Sequence, residues 1–220
     1  MSVLARYSLT FLLLCAVTPQ IDAGSLTGFR VSENSGVYYI RITMVVHAPA
    51  NYVRRVLTDF VHIYRLNPDI RESGILKSPQ QGVVRVKTLI HDCVAFFCKD
   101  VRLVEDVREL KSGDLQAVIV PKLSNLKFGS ERWKIRGMGA YTGVTYQAEM
   151  KPDFFIPPII GSYLVKEKIR EESMLSFARL ECIAQIQESL KSQRQPLSAS
   201  LSHDLVCGDH CRKNATGCQP

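Results

Sequence analysis

Three observations predict an α+β protein in which an antiparallel sheet is closed by one long C-terminal helix. Between Val37 and Met150, short runs of alternating apolar and polar residues recur at regular spacing, with turn residues between them. The segment Lys151-Pro152-Asp153-Phe154-Phe155-Ile156-Pro157-Pro158-Ile159-Ile160-Gly161 then breaks that pattern. From Ser162 to Arg194 the chain contains neither proline nor glycine, as a long helix requires.

Each element has its own signal. Residues 24–34, rich in Gly, Ser and Thr, read as a leader strand or linker. From Val37, the residues Tyr38, Ile40, Ile42, Met44 and Val46 fall on one face of a strand. Pro49 suits the first turn of a helix whose stripe is Val53, Val56, Leu57 and Phe60. A second short helix or turn with Ile63 and Tyr64 ends before Asn67-Pro68, because proline disfavours helix at the residue before it. Strands are expected at Asp69–Lys77, Val83–His91, Phe97–Glu109, Leu115–Lys122, Lys127–Arg136 and Thr142–Met150. In the fifth of these, Phe128, Trp133 and Ile135 stand among Arg132, Lys134 and Arg136. Short turns between consecutive strands argue for antiparallel pairing with one wet face. The terminal helix is uneven. Its first half carries Lys166-Glu167-Lys168 and Arg170-Glu171-Glu172, and its second half is richer in Leu, Ile, Phe and Ala, so tight packing is expected only of the second half.

The ends have a different character. Arg6, the apolar run Leu9–Val17 and Ala23 describe a secretory signal over residues 1–23, with an apolar core too short to span a bilayer. Export, to a bacterial periplasm, is the expected address. Residues 191–220 read as a flexible cysteine-containing tail. The formal charge of +7 suits anionic lipid or acidic partners as well as plain solubility. Nucleic acid is disfavoured, because no Lys/Arg run exceeds Arg54-Arg55. Six of the seven cysteines follow the signal, and an exported chain reads them first as disulfides. Cys93 and Cys98, facing each other across a proposed hairpin, are the pair expected to bridge. Cys182, among the apolar residues of the terminal helix, reads as a buried hydrophobe. His203, Cys207, His210, Cys211 and Cys218 in the tail match no established zinc spacing, and no metal is expected.

The order strand, two short helices, antiparallel strands and long helix resembles the START-like or helix-grip superfamily. Within it, the chain looks most similar to the bacterial polyketide cyclase/dehydrase and lipid transport group, which includes coenzyme-Q-binding proteins. The resemblance spans about residues 35–190. It rests on Ala48-Pro49-Ala50 leading into Val53–Phe60, on Leu66-Asn67-Pro68, on Trp133, on Gly139 with Thr142–Tyr146, and on Pro152–Gly161 entering the final helix. It implies a pocket between sheet and helix for an apolar molecule, such as a lipid or isoprenoid quinone. Candidate walls of that pocket are Tyr38, Ile40, Ile42, Trp133, Tyr146, Phe155, Ile160 and Leu164.

Three functions follow from these readings. The leading one is an exported carrier that binds a hydrophobic molecule without transforming it and needs no cofactor. The second is a cyclase or dehydratase acting on an aromatic or polyketide-like substrate. The third is an interaction protein with a closed cavity. Asp59, Asp69, His47, His62, Glu149 and Asp153 form no nucleophile–base–orienter arrangement, and read as solvated charge rather than catalytic residues. No phosphate-binding glycine loop or helical zinc motif is present. The apolar turn Val94-Ala95-Phe96-Phe97 suggests peripheral membrane contact through Phe96 and Phe97, or a turn lining the cavity mouth. A cavity lined only by carbon would favour binding, an ionisable group at its base would favour chemistry, and a filled interior would favour the third reading.

Overall fold

The structure, a computed structural model, describes residues 25–78, 80–156 and 161–192; the side chains of 161, 162 and 192 are outside that description. The expected signal segment 1–23, Ile160 and the tail beyond Ser192 lie outside the described residues. The strands are β1 (Ser25–Asn34), β2 (Val37–Val46), β3 (Ile70–Leu76), β4 (Val84–Val94), β5 (Phe97–Glu109), β6 (Leu115–Ile119), β7 (Leu126–Met138) and β8 (Tyr141–Pro152). The helices are α1 (Ala50–Leu57) and α2 (Gly161–Ser192), with single 3-10 turns at Ile63–Arg65 and Pro121–Leu123. All eight strands form one antiparallel curved sheet in the order β1-β2-β8-β7-β6-β5-β4-β3. The α1 segment carries the chain from β2 to β3 at the far edge, and a meander returns it to β8 beside β2.

Alternation along β2 buries Tyr38, Ile40, Ile42, Met44 and Val46 on the concave face. All of these but Tyr38 join Val53, Val56 and Leu57 of α1 and Phe177, Leu180, Ile183 and Ala184 of α2 in the main core. Among the residues of α2 whose side chains are described, every buried one lies at or after Phe177. This second half is also held by polar contacts. Glu181, 3% exposed, accepts the His47 backbone N–H at 2.8 Å, and Gln185 Nε2 donates to the His47 carbonyl at 3.0 Å. One residue on, Thr142 Oγ1 of β8 donates to the Ala48 carbonyl at 2.6 Å. The junction between β2 and α1 is therefore fixed from both the helix and the sheet.

The outer face carries a cross-strand row that runs Arg30, Arg41, Gln147, Arg132, Gln116, Arg108 from β1 through β2, β8, β7 and β6 to β5. Like charges facing each other across strands repel. Part of that cost is offset by Asp114, whose side chain is fully buried beneath Arg132 and Arg136. Arg136 Nη1 donates to its Oδ1 at 2.6 Å, and Arg132 Nη2 to its Oδ2 at 2.7 Å.

Several expectations need correction. Residues 25–34 are a full edge strand paired along β2, not a linker. α1 ends at Leu57, so Phe60 lies beyond it and packs instead on a second small cluster of Val86, Val107 and Ala117. Phe128 does not share the face of Trp133 and Ile135. By simple alternation it lies on the outer face with Arg132, Lys134 and Arg136 and is 40% exposed, and the register shift between Leu126 and Phe128 instead turns Leu126 inward. The strand expected to reach Lys122 stops at Ile119, because Pro121 opens a 3-10 turn. Cys182 is disulfide-bonded, not a simple buried thiol.

Gly129 is one position where backbone and side chain approach too closely for anything larger. A Cβ there would run into Ile119 Cδ1 and stand 3.2 Å from the Glu149 carbonyl.

The Asp114 cluster gives a measurable test. Hydrogen bonding to Arg136, against the cost of burial and with help from Arg132, lowers its pKa to about 2. A depressed folded pKa gives stability that is present above the unfolded carboxylate value and lost as pH falls toward 2. Asp114→Asn should cost about 2 kcal/mol at pH 6, the scale of hydrogen bonds to charged groups. Urea melts should find that difference shrinking as pH falls toward 2.

Candidate functional site

Because only the second half of α2 is packed down, a cavity of about 440 Å³ remains between its first half and the sheet. Ile40 and Ile42 of β2, Ile90 of β4, Val101 and Leu103 of β5 and Met150 of β8 supply sheet-side walls. Val165, Ile169 and Phe177 of α2 roof it, and Phe154 and Ile156 close the side where the chain enters the helix. The walls are mostly hydrocarbon with a few polar groups, and the volume falls within the ordinary range of small-molecule pockets.

Of the sequence-derived wall candidates, Tyr38, Ile40, Ile42, Trp133 and Tyr146 line this cavity. Phe155 and Leu164 do not. They are 72% and 40% exposed, and their neighbours Phe154 and Val165 face inward instead. One residue of phase decides the outcome at both places. Ile160 lies outside the described residues. Cys93 and Cys98 are joined by a disulfide as directly paired residues of the β4–β5 hairpin. The two phenylalanines beside them part company: Phe97 lines the cavity, whereas Phe96, in the two-residue turn, is 76% exposed.

The mouth is ionic. Lys168 Nζ of α2 lies 2.6 Å from Glu172, 3.1 Å from Asp69 and 3.1 Å from Asp92 of β4. Asn67 Nδ2 donates to the same Glu172 carboxylate. Burial alone would lower the Lys168 pKa, but the hydrogen bonds its ammonium donates to the three carboxylates raise it, so the ammonium stays charged. Asn67, Asp69, Asp92 and Glu172 all border the cavity. The Asp69 side chain, expected to be solvated, is thus tied into this cluster. His47 contacts Glu181, His62 sits 2.8 Å from Asp59, and Asp153 lies 3.6 Å from Lys127, all away from the cavity.

The deep end holds a group that the sequence reading missed. Glu131 of β7 lines the cavity beside Trp133 and Tyr146, whose rings are 4.4 Å apart. Burial raises the Glu131 pKa, while hydrogen bonds from the Tyr146 hydroxyl and the Trp133 indole act in the opposite sense. Glu105 of β5 stands nearby. Its residue keeps some exposed surface, but its Oε1 is buried and has no hydrogen-bond partner. Burial, then the charge of Glu131, pushes its pKa well above the usual carboxylate range. Tyr146 is pushed up in turn by burial and by both carboxylates. A signal was available: Glu131 is in phase with Trp133 and Ile135, and Glu105 with Leu103 and Val107, so both glutamates fall on an apolar face.

Comparisons with known proteins agree with this architecture. No protein-family model matches the chain, and no curated protein matches it either. Solved structures do. The Zhui aromatase/cyclase from Streptomyces sp. R1128 aligns with TM-score 0.55 and 15% identity, over 68% of this chain and 94% of that one. A START superfamily protein from Mycobacterium smegmatis gives 0.52 and 15%, over 65% and 97%. A STAR-related lipid transfer protein from Xanthomonas axonopodis gives 0.50 and 16%, over 70% and 98%. The fold is therefore START-like, a sheet gripping its C-terminal helix. Among proteins of this fold are both lipid-transfer proteins and aromatase/cyclases.

The buried acids predict a particular pH dependence. With a folded pKa raised above the unfolded one, the native state retains a proton that the unfolded chain has released. Stability therefore falls as pH rises from about 4.3, the ordinary glutamate value, through the raised folded value. Glu105→Gln should raise the melting temperature at pH 8, and the gain should shrink toward pH 4. Circular dichroism melts across that range provide the check, and a gain that grows toward acid pH would contradict it.

Proposed function

We propose that this protein is an exported carrier that holds a hydrophobic small molecule, a lipid or an isoprenoid quinone, between its sheet and α2 without transforming it. The observation that carries this reading is the apolar cavity of about 440 Å³ under the loosely packed half of α2. Removing apolar ligand surface from water would provide most of the affinity, about 25 cal/mol per Å² before ordering costs. A volume of this size suits a compact head and the first part of a chain, with the remainder leaving through the mouth. The solved lipid-transfer protein of the same fold supports the reading by analogy of fold alone.

One observation favours a second reading. The paired glutamates at the deep end, with Tyr146, supply groups that could move protons in a cyclase or dehydratase, and an aromatase/cyclase shares the fold.

Native mass spectrometry of protein purified from its own host, followed by organic extraction, tests the carrier reading. The expected result is a bound hydrophobic molecule that is recovered chemically unchanged after prolonged incubation. Ser176→Phe, which fills the cavity from α2, should abolish uptake while leaving the circular dichroism spectrum native. Protein that arrives empty and takes up neither lipid nor quinone removes the carrier reading; a ligand converted on incubation moves the balance to the enzyme.

For delivery, the exposed Phe96 at the β4–β5 turn, next to cavity-lining Phe97, is proposed as the membrane contact. Phe96→Ser should weaken flotation with anionic vesicles severalfold, with cavity binding retained. Unchanged flotation would remove that role.

A further inference from the structure

We propose that Glu131, Tyr146 and Trp133, backed by Glu105 behind the wall, form the head-group end of the cavity and select ligands whose buried polar group is an uncharged hydrogen-bond acceptor, a ketone, quinone or ester carbonyl, over carboxylates and phosphates. The inference rests on the binding reading and adds the chemical class of the ligand.

The arrangement is built by strand register. Glu131 on β7 stands opposite Ala117 on β6, and Ala117 stands opposite Val107 on β5. Glu105 is two residues before Val107 and on the same face. Glu105 itself stands opposite Ile119 on β6, so the two glutamates lie diagonally across that strand on one face, two strand spacings or about 10 Å apart across the sheet, near enough for long carboxylate side chains to feel each other's charge. Tyr146, the cross-strand partner of Trp133, approaches from β8.

Two like charges in a place of low dielectric cannot both be maintained, so a proton is retained between them. A carboxyl that keeps its proton is a donor as well as an acceptor. The Tyr146 hydroxyl and the Trp133 indole N–H donate to Glu131 and hold its carboxyl in place. An incoming carbonyl therefore meets a positioned acid proton. The buried, unpartnered Oε1 of Glu105 shows that polar capacity here is not exhausted by the protein itself.

No cation waits there for an anion. Among the described residues, the cationic groups near the cavity are Lys99, stacked on Phe154 with 5.5 Å between its ammonium and the ring centre, and Lys168, already surrounded by Asp69, Asp92 and Glu172. Both belong to the walls and mouth. Tyr38 is the remaining titratable group lining the cavity, and it too is kept neutral by burial. A ligand carboxylate or phosphate pushed to this end would add negative charge to a site that already rejects its own.

Trp133 is the single tryptophan of the chain, so its fluorescence reports on this end of the cavity directly. The full chain is titrated at pH 7.5 with two probes of equal length, a decyl-naphthoquinone and a decyl-naphthoate. The native protein is expected to bind the quinone at least about 30-fold more tightly, equivalent to about 2 kcal/mol. In the double variant Glu105→Gln, Glu131→Gln, the naphthoate should gain about tenfold relative to the quinone. Glu131→Gln alone should move the ratio in the same direction, which keeps the test independent of how well the double variant folds. Equal binding of both probes by native protein overturns the selection while leaving the carrier reading intact. An unchanged ratio in folded variants also overturns it. If natively folded protein binds neither probe, the carrier reading and this inference fall together.

Discussion

The anchoring of the second half of α2 over β2 is the constraint on which the remaining architecture depends. Leu180, Ile183 and Ala184 are buried there, and Glu181 and Gln185 take up the backbone N–H and carbonyl of His47. Leaving either His47 group unpaired in so buried a place would cost about 1–3 kcal/mol, so the helix cannot slide along the sheet without penalty. One helix about 10–12 Å wide cannot fill the concavity of an eight-stranded sheet. Fixing one end of it therefore leaves space beneath the other. The cavity is thus a consequence of where the helix is pinned.

That space could have been filled with more leucine, and a wholly apolar deep end would have been more stable. Two glutamates stand there instead, on strands whose neighbouring inward residues are apolar. Buried acids of this kind lower stability at neutral pH through the protons they must retain. Glu131 borders the cavity and Glu105 stands close to it, and residues that weaken a fold beside its cavity are the residues to examine for function. Binding and chemistry make different use of the same pair. Binding needs a donor that stays in position, whereas catalysis needs a proton that is transferred and restored.

Much of the fold was legible in the sequence because its strands obey a two-residue period and its long helix lacks breakers. The alternation of Tyr38 to Val46 maps directly onto burial, and Phe97–Glu109 is a strand with those same ends. The unevenness of α2 was also legible from its charge clusters. Errors arose where local phase was misread or lost. Phe128 has the parity of Arg132 and Lys134, not of Trp133, and Phe155 and Leu164 sit in or just after the proline-rich break, where no period carries over. The glutamate pair was overlooked for another reason. Charged residues were read as solvated, although Glu131 and Glu105 keep the phase of their apolar neighbours, and phase was the stronger signal. Their proximity across β6 also needs the pairing of β5, β6 and β7, which a single strand does not reveal.

The two ends of the cavity differ in rigidity, and that difference suits a protein that must both recognise and release. The deep end is made by the contiguous strands β5 to β8, whose backbone bonds hold Glu105, Glu131, Trp133 and Tyr146 in fixed relation. The mouth is closed by Lys168 and its three carboxylates, all partly exposed. Partly solvated ion pairs contribute only about 0–1 kcal/mol each, and no described side chain of α2 before Phe177 is fully buried. Lifting the first half of α2 therefore exposes little apolar surface and breaks only weak pairs, whereas moving the second half would uncover the main core. Access through the helix and recognition on the sheet can then proceed without disturbing each other.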